Sequence, residues 1–454
     1  MELIMKVFTK FLLLLTLNLG FFIPAHSQKK PELPEFMTLI ETSSGKLQEK
    51  INAAQRRFRN ESKESRFWVG YRFEPREDIG FDRFYVHDDN ITLSREAGDF
   101  YLQEEDDLKA HVLHALSDLG DEKAEKAYEV MKREFAKHSW TNWGIFYLLD
   151  RQTLGIRKIK LAHLFRKRKF DGFPVYWLGE IDNNESFDYL TGLINDNSYR
   201  KKVVKPAVFV LSLHEHPKVI SYLSQTAAEN KTFDIRKSAV FWLGQIPEEE
   251  SFSALVQLFE KEKGLRIKEK LVFSMSQHKS EKVVAQLAQI AKSDEDSEVR
   301  EKAVFWLGQI DREETLNVLT DMLKETRQRK LKEKIVFAIS QHKSERAVPI
   351  LINVAENDKD REVRKKAIFW LGQMAGRKTL EALGDIVENE DETDLKTRAV
   401  FAISQHQDKQ KAIDMLMNVA RNNPNPKVRK KAIFWLGQTG DERAVAFFKD
   451  ILTR

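Results

Sequence analysis

Along most of the chain, apolar residues recur at spacings of three and four, the period of a single helical face. Over Ser297–Thr326, Val299, Ala303, Leu307 and Ile310 form one such stripe. Gly308 and Asp311 introduce a polar turn, and Leu316, Leu319, Met322 and Leu323 mark a second stripe. The pattern therefore predicts a helix pair. Neither helix can bury its stripe alone, so neighbouring pairs must stack.

The pair is repeated. Phe-Trp-Leu-Gly-Gln occurs at 241–245, 305–309, 369–373 and 434–438, with Tyr-Trp-Leu-Gly-Glu at 176–180. Midway between these lies Val-Phe-x-x-Ser-x-His, at Val208–His214, Val272–His278, Val336–His342 and Val400–His406. Successive copies of one string are 64 or 65 residues apart, so the unit is about 32 residues in two alternating flavours. In register, Trp177, Trp242, Trp306, Trp370 and Trp435 of one flavour stand where the other has Val210, Ser274, Ala338 or Ala402. This alternation predicts large-on-small packing between repeats. The preceding position is aromatic in every unit: Tyr176, then Phe209, Phe241, Phe273, Phe305, Phe337, Phe369, Phe401 and Phe434. At 100° per residue it points away from the core stripe. The rings then form either a docking ridge or a row folded into interhelical grooves beneath lysine stems. A glutamine row, from Gln245 to Gln438, closes each first helix and is expected to cap its carbonyls or to bond along the row.

The run Asp294-x-Asp296-x-Glu298-Val299-Arg300, followed by Ala303 and Leu307-Gly308, resembles the HEAT repeat of the short bacterial, phycobilin-lyase-like type. The same pattern stands at Asp358–Gly372 and, with Asn-Pro for the acids, at Asn423–Gly437. The resemblance implies an all-α fold, a right-handed α-α superhelix of about eleven helix pairs. It extends weakly upstream through Leu108–Ser117 and Phe146–Leu148, so residues 107–170 are read as divergent capping repeats and 171–454 as regular ones. Two enzymatic rivals come with it, a phycobilin lyase and a hydroxylase like deoxyhypusine hydroxylase. The latter uses His-Glu dipeptides on several repeats. Here only His214-Glu215 qualifies, and His278, His342 and His406 are followed by Lys, Lys and Gln. Histidines in every second unit stand roughly 20 Å apart, too far for one ion. They are expected to end helices, favoured by the dipole.

Residues 28–106 break the helical period. A leader with Pro31 and Pro34 precedes a helical stretch within Met37–Arg59, delayed by Ser43-Ser44-Gly45. Short β-like runs follow at Phe67–Phe73, Arg83–Val86, Asn90–Ser94 and Phe100–Leu102. A small antiparallel sheet is expected, serving as a cap on the first repeats or as a recognition element. Residues 1–27 read as a secretory signal: basic Lys6 and Lys10, apolar Phe11–Ile23, then Ala25-His26-Ser27 before a cut near Ser27-Gln28. The expected location is periplasmic or secreted, with no transmembrane span in the mature chain.

Composition narrows the chemistry. The 454 residues contain no cysteine, which excludes disulfides, thiolate metal sites and cysteine nucleophiles. No P-loop, Rossmann glycine pattern, Gly-x-Ser-x-Gly or His-Glu-x-x-His occurs. No catalytic residue, metal ligand or cofactor is expected. The net charge of +5 conceals a division, because residues 28–106 carry 13 basic and 17 acidic side chains. One basic register position, Arg236, Lys268, Arg300, Lys332, Arg364, Lys396 and Arg429, is expected to pair with loop acids such as Asp296 or Asp360. A second position, Lys302, Lys334, Lys366, Arg398 and Lys431, with the run Arg166–Lys169, offers a basic face to an acidic partner or anionic surface. Nucleic acid is disfavoured by the export signal; self-association along the ridge is open. The sequence thus predicts a non-catalytic exported scaffold binding a protein partner, with an enzyme of the HEAT fold and an envelope structural protein as alternatives.

Overall fold

The computed structural model describes residues 36–41, 45–76, 85–87, 90–92, 143–163, 170–374 and 376–453. The signal segment, the run Arg166–Lys169, the strand expected at Phe100–Leu102 and residues 107–142 of the expected capping region lie outside them. The chain divides into two compact units, Met1–Ala254 and Leu255–Arg454. Among the described residues no helix is long and apolar enough to cross a membrane.

The first unit opens with a five-stranded sheet. Its strands are β1 (Met37–Leu39), β2 (Arg66–Arg72), β5 (Trp143–Asp150), β6 (Ile156–His163) and β7 (Val175–Glu180), in the order β1-β7-β2-β5-β6. A separate hairpin pairs β3 (Tyr85–His87) with β4 (Asn90–Thr92). The sheet is mixed, not purely antiparallel: β7 runs parallel to both β1 and β2, while β2, β5 and β6 alternate. Helix α1 (Leu47–Glu61) lays Leu47, Ile51, Ala54 and Phe58 inward, and the Phe58 ring stacks on Phe67 at 4.5 Å. On the other face, Trp68, Phe146, Phe170 and Trp177 cluster, and the Trp68 indole N–H donates to the Phe170 carbonyl at 3.0 Å. Burial on both faces explains why Phe67–Phe73 lacks a clean apolar–polar alternation. Gly70 is required here, because a Cβ on it would come within 2.3 Å of the Phe146 ring.

Two expectations are corrected by this sheet. Residues 143–150 and 156–163, read as part of a capping repeat, are strands. Tyr176–Glu180, read as a copy of the repeat motif, is most of β7, so Trp177 is a sheet residue opposite Leu39 and Gly70 rather than a contact between helical repeats. The reason is upstream. In true copies an uninterrupted helix-forming run precedes Phe-Trp, whereas Tyr176 follows Asp171-Gly172-Phe173-Pro174. Asp171 and Gly172 have φ of 52° and 77°, a turn, and the residue before a proline is driven out of helical geometry.

Helix α2 (Asn183–Asn195) follows β7 directly, capped by Asp182, whose side chain accepts from the Asn184 N–H. From Lys201 the helix pairs begin, and among the described residues eight are complete, fewer than the eleven expected. In the first unit these are Lys201–Ser212 with Val219–Glu229, and Phe233–Leu243 with Glu249–Lys261, whose last turns enter the second unit. In the second unit the first helices are Leu265–Ser276, Ser297–Leu307, Arg329–Ser340, Arg361–Gln373, Thr393–Gln405 and Pro426–Gly437. Three of these starts are capped by a side chain. Asp296 accepts from the Glu298 N–H at 2.7 Å, Asp360 from the Glu362 N–H at 2.9 Å, and Asn425 from the Lys427 N–H at 3.0 Å.

Candidate binding surface on the first helices

Two different contacts join consecutive first helices of the second unit. From Ser297–Leu307 forward, the backbone of Gly308 approaches Ala338 so closely that a Cβ on the glycine would lie 2.7 Å from the alanine Cβ. Gly372 and Ala402 repeat the arrangement at the same distance. The small residues of one flavour therefore face the glycine of the other. Backward, the tryptophan leans onto the preceding helix: Trp306 meets Phe273 at 4.9 Å, Trp370 meets Phe337 at 4.9 Å and Trp435 meets Phe401 at 5.0 Å. Each indole also lies edge-on to the phenylalanine before it, at 5.0 Å for Phe305 and Phe369 and 5.1 Å for Phe434. Every tryptophan thus sits between two phenylalanine rings, half-buried rather than sealed in the core. The first unit contains one such triad, Phe209, Trp242 and Phe241, and there both Phe209 and Trp242 are buried.

In the second unit the row reaches the surface. Phe305 is 38% exposed and Phe434 52%, while Phe273, Phe337, Phe369 and Phe401 are half-buried. Phe305 and Phe337 stack at 6.3 Å. At the equivalent junction two helix pairs further on, the Arg398 guanidinium bridges Phe369 and Phe401, 5.5 and 5.4 Å from their centroids.

Arg398 belongs to the basic register position, which lies on the same face as the rings. Lys270 sits 3.9 Å over Phe273, and Lys431 lies 5.3 and 5.4 Å from the Phe434 and Trp435 centroids. Lys302, Lys334 and Lys366 are exposed, and Lys334 reaches Glu301 at 3.4 Å. Ridge and basic face are one surface. The sequence contained the signal, a cation three residues before each of the six phenylalanines from Phe273 to Phe434, which on a helix places the two side by side. The glutamine row is exposed from Gln277 to Gln438, and Gln277, Gln341 and Gln405 donate only to the preceding serine hydroxyl, at 3.1, 3.2 and 3.2 Å. It does not cap helix carbonyls as expected.

The other basic register position, Arg236 to Arg429, follows a different rule from the expected pairing with Asp296 and Asp360, which are N-caps. Lys268 and Lys332 reach Asp294 and Asp358 at 2.8 and 2.6 Å, and Arg364 pairs with Glu390. Where the acid is replaced by Asn423, Lys396 turns to the Glu388 carbonyl at 3.0 Å. Arg300 and Arg429 likewise donate to the Asp294 and Asn423 carbonyls, and Arg236 to the Ala227 carbonyl in the last turn of Val219–Glu229.

The histidines are committed locally. His278, His342 and His406 accept, through Nδ1, the N–H two residues on, at 2.9, 3.1 and 3.1 Å. They are buried, and each caps the turn that follows its helix. His342 Nε2 donates to the Arg312 carbonyl at 3.0 Å, and burial holds the His406 imidazole below its ordinary value. His214 differs. Its Nδ1 donates to the Val210 carbonyl at 2.8 Å, and its Nε2 is 2.7 Å from the Ser186 hydroxyl. Ser186 is 2.7 Å from the Tyr71 hydroxyl, itself 2.9 Å from that of Tyr147. All four side chains are buried; burial lowers the His214 pKa to about 4, raises Tyr71 to about 12 and raises Tyr147 well above its ordinary value. This chain joins β2 and β5 to α2 and to the end of Lys201–Ser212. Nothing in the spacing of residues 71, 147, 186 and 214 could have revealed it. Among the described residues no three His, Asp or Glu side chains gather to hold a metal ion.

The HEAT-repeat family model matches residues 266–340, 325–404 and 380–454, and that of the PBS lyase HEAT-like repeat matches 235–261. No curated protein matches the chain. Solved structures are similar at low identity. Human deoxyhypusine hydroxylase is 17% identical, covering 53% of this chain and 90% of its own, with a TM-score of 0.26. The complex of CpcE and CpcF of phycocyanin lyase from Nostoc is 16% identical, covering 52% and 95%, with a TM-score of 0.27. Yeast importin-beta is 14% identical, covering 60% and 43%, with a TM-score of 0.34. Residues 235–261 and 266–454 therefore carry HEAT repeats, in two flavours that alternate along the chain.

Proposed function

We propose that this chain is an exported, non-catalytic scaffold that binds a protein partner along the first helices of its second unit. The observation that carries the reading is the merged surface: each of six successive first helices sets a phenylalanine beside a cation in one register, with Phe305 and Phe434 well exposed. Packing alone does not require lysine at this position in five of the six units, Lys270, Lys302, Lys334, Lys366 and Lys431, with Arg398 in the fifth. Aromatic and basic groups that recur together suit a partner held by many shallow contacts. Export is supported by the basic start, apolar run and small residues of 1–27. The non-catalytic reading is supported by His214, His342 and His406, each of which has both ring nitrogens engaged in loop and helix hydrogen bonds.

The test is capture of partners from an envelope extract by the intact chain and by the double variant Phe305→Ser, Phe434→Ser. Both rings are surface rungs, so the melting temperature should change little while partner recovery falls at least tenfold. Recovery equal to wild type would remove this face from the function. Co-sedimentation with protein-free vesicles would favour the envelope-surface alternative.

A further inference from the structure

Three chemistries share the face of each first helix in the second unit. Relative to the phenylalanine, a cation stands three residues before and a carboxamide four residues after, positions that lie along one side of a helix. Among the described residues the exposed Gln309 and Gln373 side chains make no hydrogen bond, and Gln277, Gln341 and Gln405 each keep their carbonyl oxygen open. A carboxamide is both donor and acceptor, the complement of a peptide unit.

The spacing selects a conformation. Packed helices lie about 8–10 Å apart. A polyproline II segment has three residues per turn and rises about 3.1 Å per residue, so one side returns every ~9 Å. A β-strand returns to one side every ~6.7 Å and falls out of step within two repeats. Polyproline II also leaves its backbone groups without internal partners, open to a row of carboxamides, and proline-rich segments in this conformation suit an aromatic-lined surface.

Charge sets a direction. Four residues before the phenylalanine, the first three helices of the second unit carry Glu269, Glu301 and Glu333, whereas the last three carry Lys365, Thr397 and Lys430. This register position therefore changes from acidic to basic or neutral toward Pro426–Gly437, with Lys365 paired to Glu362 and Asp394. Resting on the docking reading above, we propose that the occupant is an acidic polypeptide segment in polyproline II conformation, with a carboxylate at every third residue. It lies across the six helices with its most acidic part over the last three.

The experiment is fluorescence anisotropy with the intact chain and three labelled fifteen-residue peptides: five Glu-Pro-Pro triplets, an isomer with its five glutamates contiguous, and five Gln-Pro-Pro triplets. The periodic acidic peptide should bind at least tenfold more tightly than its isomer, weaken with added salt, and lose its binding in the glutamine analogue. Gln309→Ala with Gln373→Ala should weaken it at least fivefold. Lys302→Ala with Lys366→Ala should flatten the salt dependence, with circular dichroism unchanged in both variants. Equal binding of the two acidic isomers, or binding of neither, overturns this assignment. Preference for phosphatidylglycerol vesicles over every peptide also overturns it. The docking reading falls separately, if the Phe305→Ser, Phe434→Ser chain still captures its partners.

Discussion

Gly372→Ala reverses the usual expectation for a glycine inside a helix. The residue lies within Arg361–Gln373, where alanine is intrinsically favoured by about 1 kcal/mol. The added methyl, however, would sit 2.7 Å from the Ala402 Cβ, 2.8 Å from its Cα and 2.8 Å from its carbonyl oxygen. Carbon atoms prefer separations of about 3.5–4.0 Å, so the helices must part by roughly 1 Å. Backbone atoms, not a flexible side-chain end, receive the clash, which puts the cost toward the upper part of the ~1–3 kcal/mol range for overpacking. The net effect is destabilisation by about 1–2 kcal/mol. Gly437→Ala is the internal control, since its Cβ would meet only the Phe448 ring at 4.0 Å, and this variant should gain about 0.5 kcal/mol. Urea titration followed by circular dichroism compares the midpoints, and hydrogen exchange of Thr393–Gln405 locates the loss. Ala402→Gly added to Gly372→Ala should recover part of it. If Gly372→Ala proves as stable as Gly437→Ala, the close approach of the two backbones is not what holds glycine at this position.

Acid should loosen the first unit through His214. Its pKa falls from 6.5 to about 4 on folding, so its stabilising contribution is complete above pH 6.5 and is lost as pH falls toward 4, about 3 kcal/mol in all. His214→Gln should flatten the stability–pH curve in that window, and an unchanged slope would place the acid sensitivity elsewhere. Lys332→Met leaves Asp358, whose side chain is only 9% exposed, without its cation and should cost about 2 kcal/mol by chemical denaturation. Lys396→Met removes only a bond to the Glu388 carbonyl and should cost under ~1 kcal/mol; similar losses would deny the buried pair its role.

The repeats were legible because their signal is local and periodic. The stripe of Val299, Ala303 and Leu307 fixes a helix, and the 32-residue recurrence fixes its stacking. The face was half legible. Phenylalanine and lysine positions were both visible, but treating them as separate surfaces overlooked that three residues along a helix is adjacency, as Lys270 over Phe273 shows. The glycine of Leu-Gly was read as a helix end, although its partner alanine lies 30 residues away and only the folded contact reveals the pairing. At 176–180 the five-residue match was a poor guide, because secondary structure there is decided by Gly172 and Pro174 rather than by the motif. The sheet draws strands from both sides of residue 106, so a cut at that point divides a folded unit.

The alternation of Trp-filled and glycine-close junctions also limits how such an array can change its length. A first helix bearing Trp and Gly needs the small-residue flavour on both sides. Loss or gain of a single 32-residue unit would set two tryptophan helices against each other, or leave two alanine helices without the indole between them. Only an even number of units preserves both fits. The heritable module is therefore the 64-residue double unit, and natural variants of the array should differ in length by whole doubles.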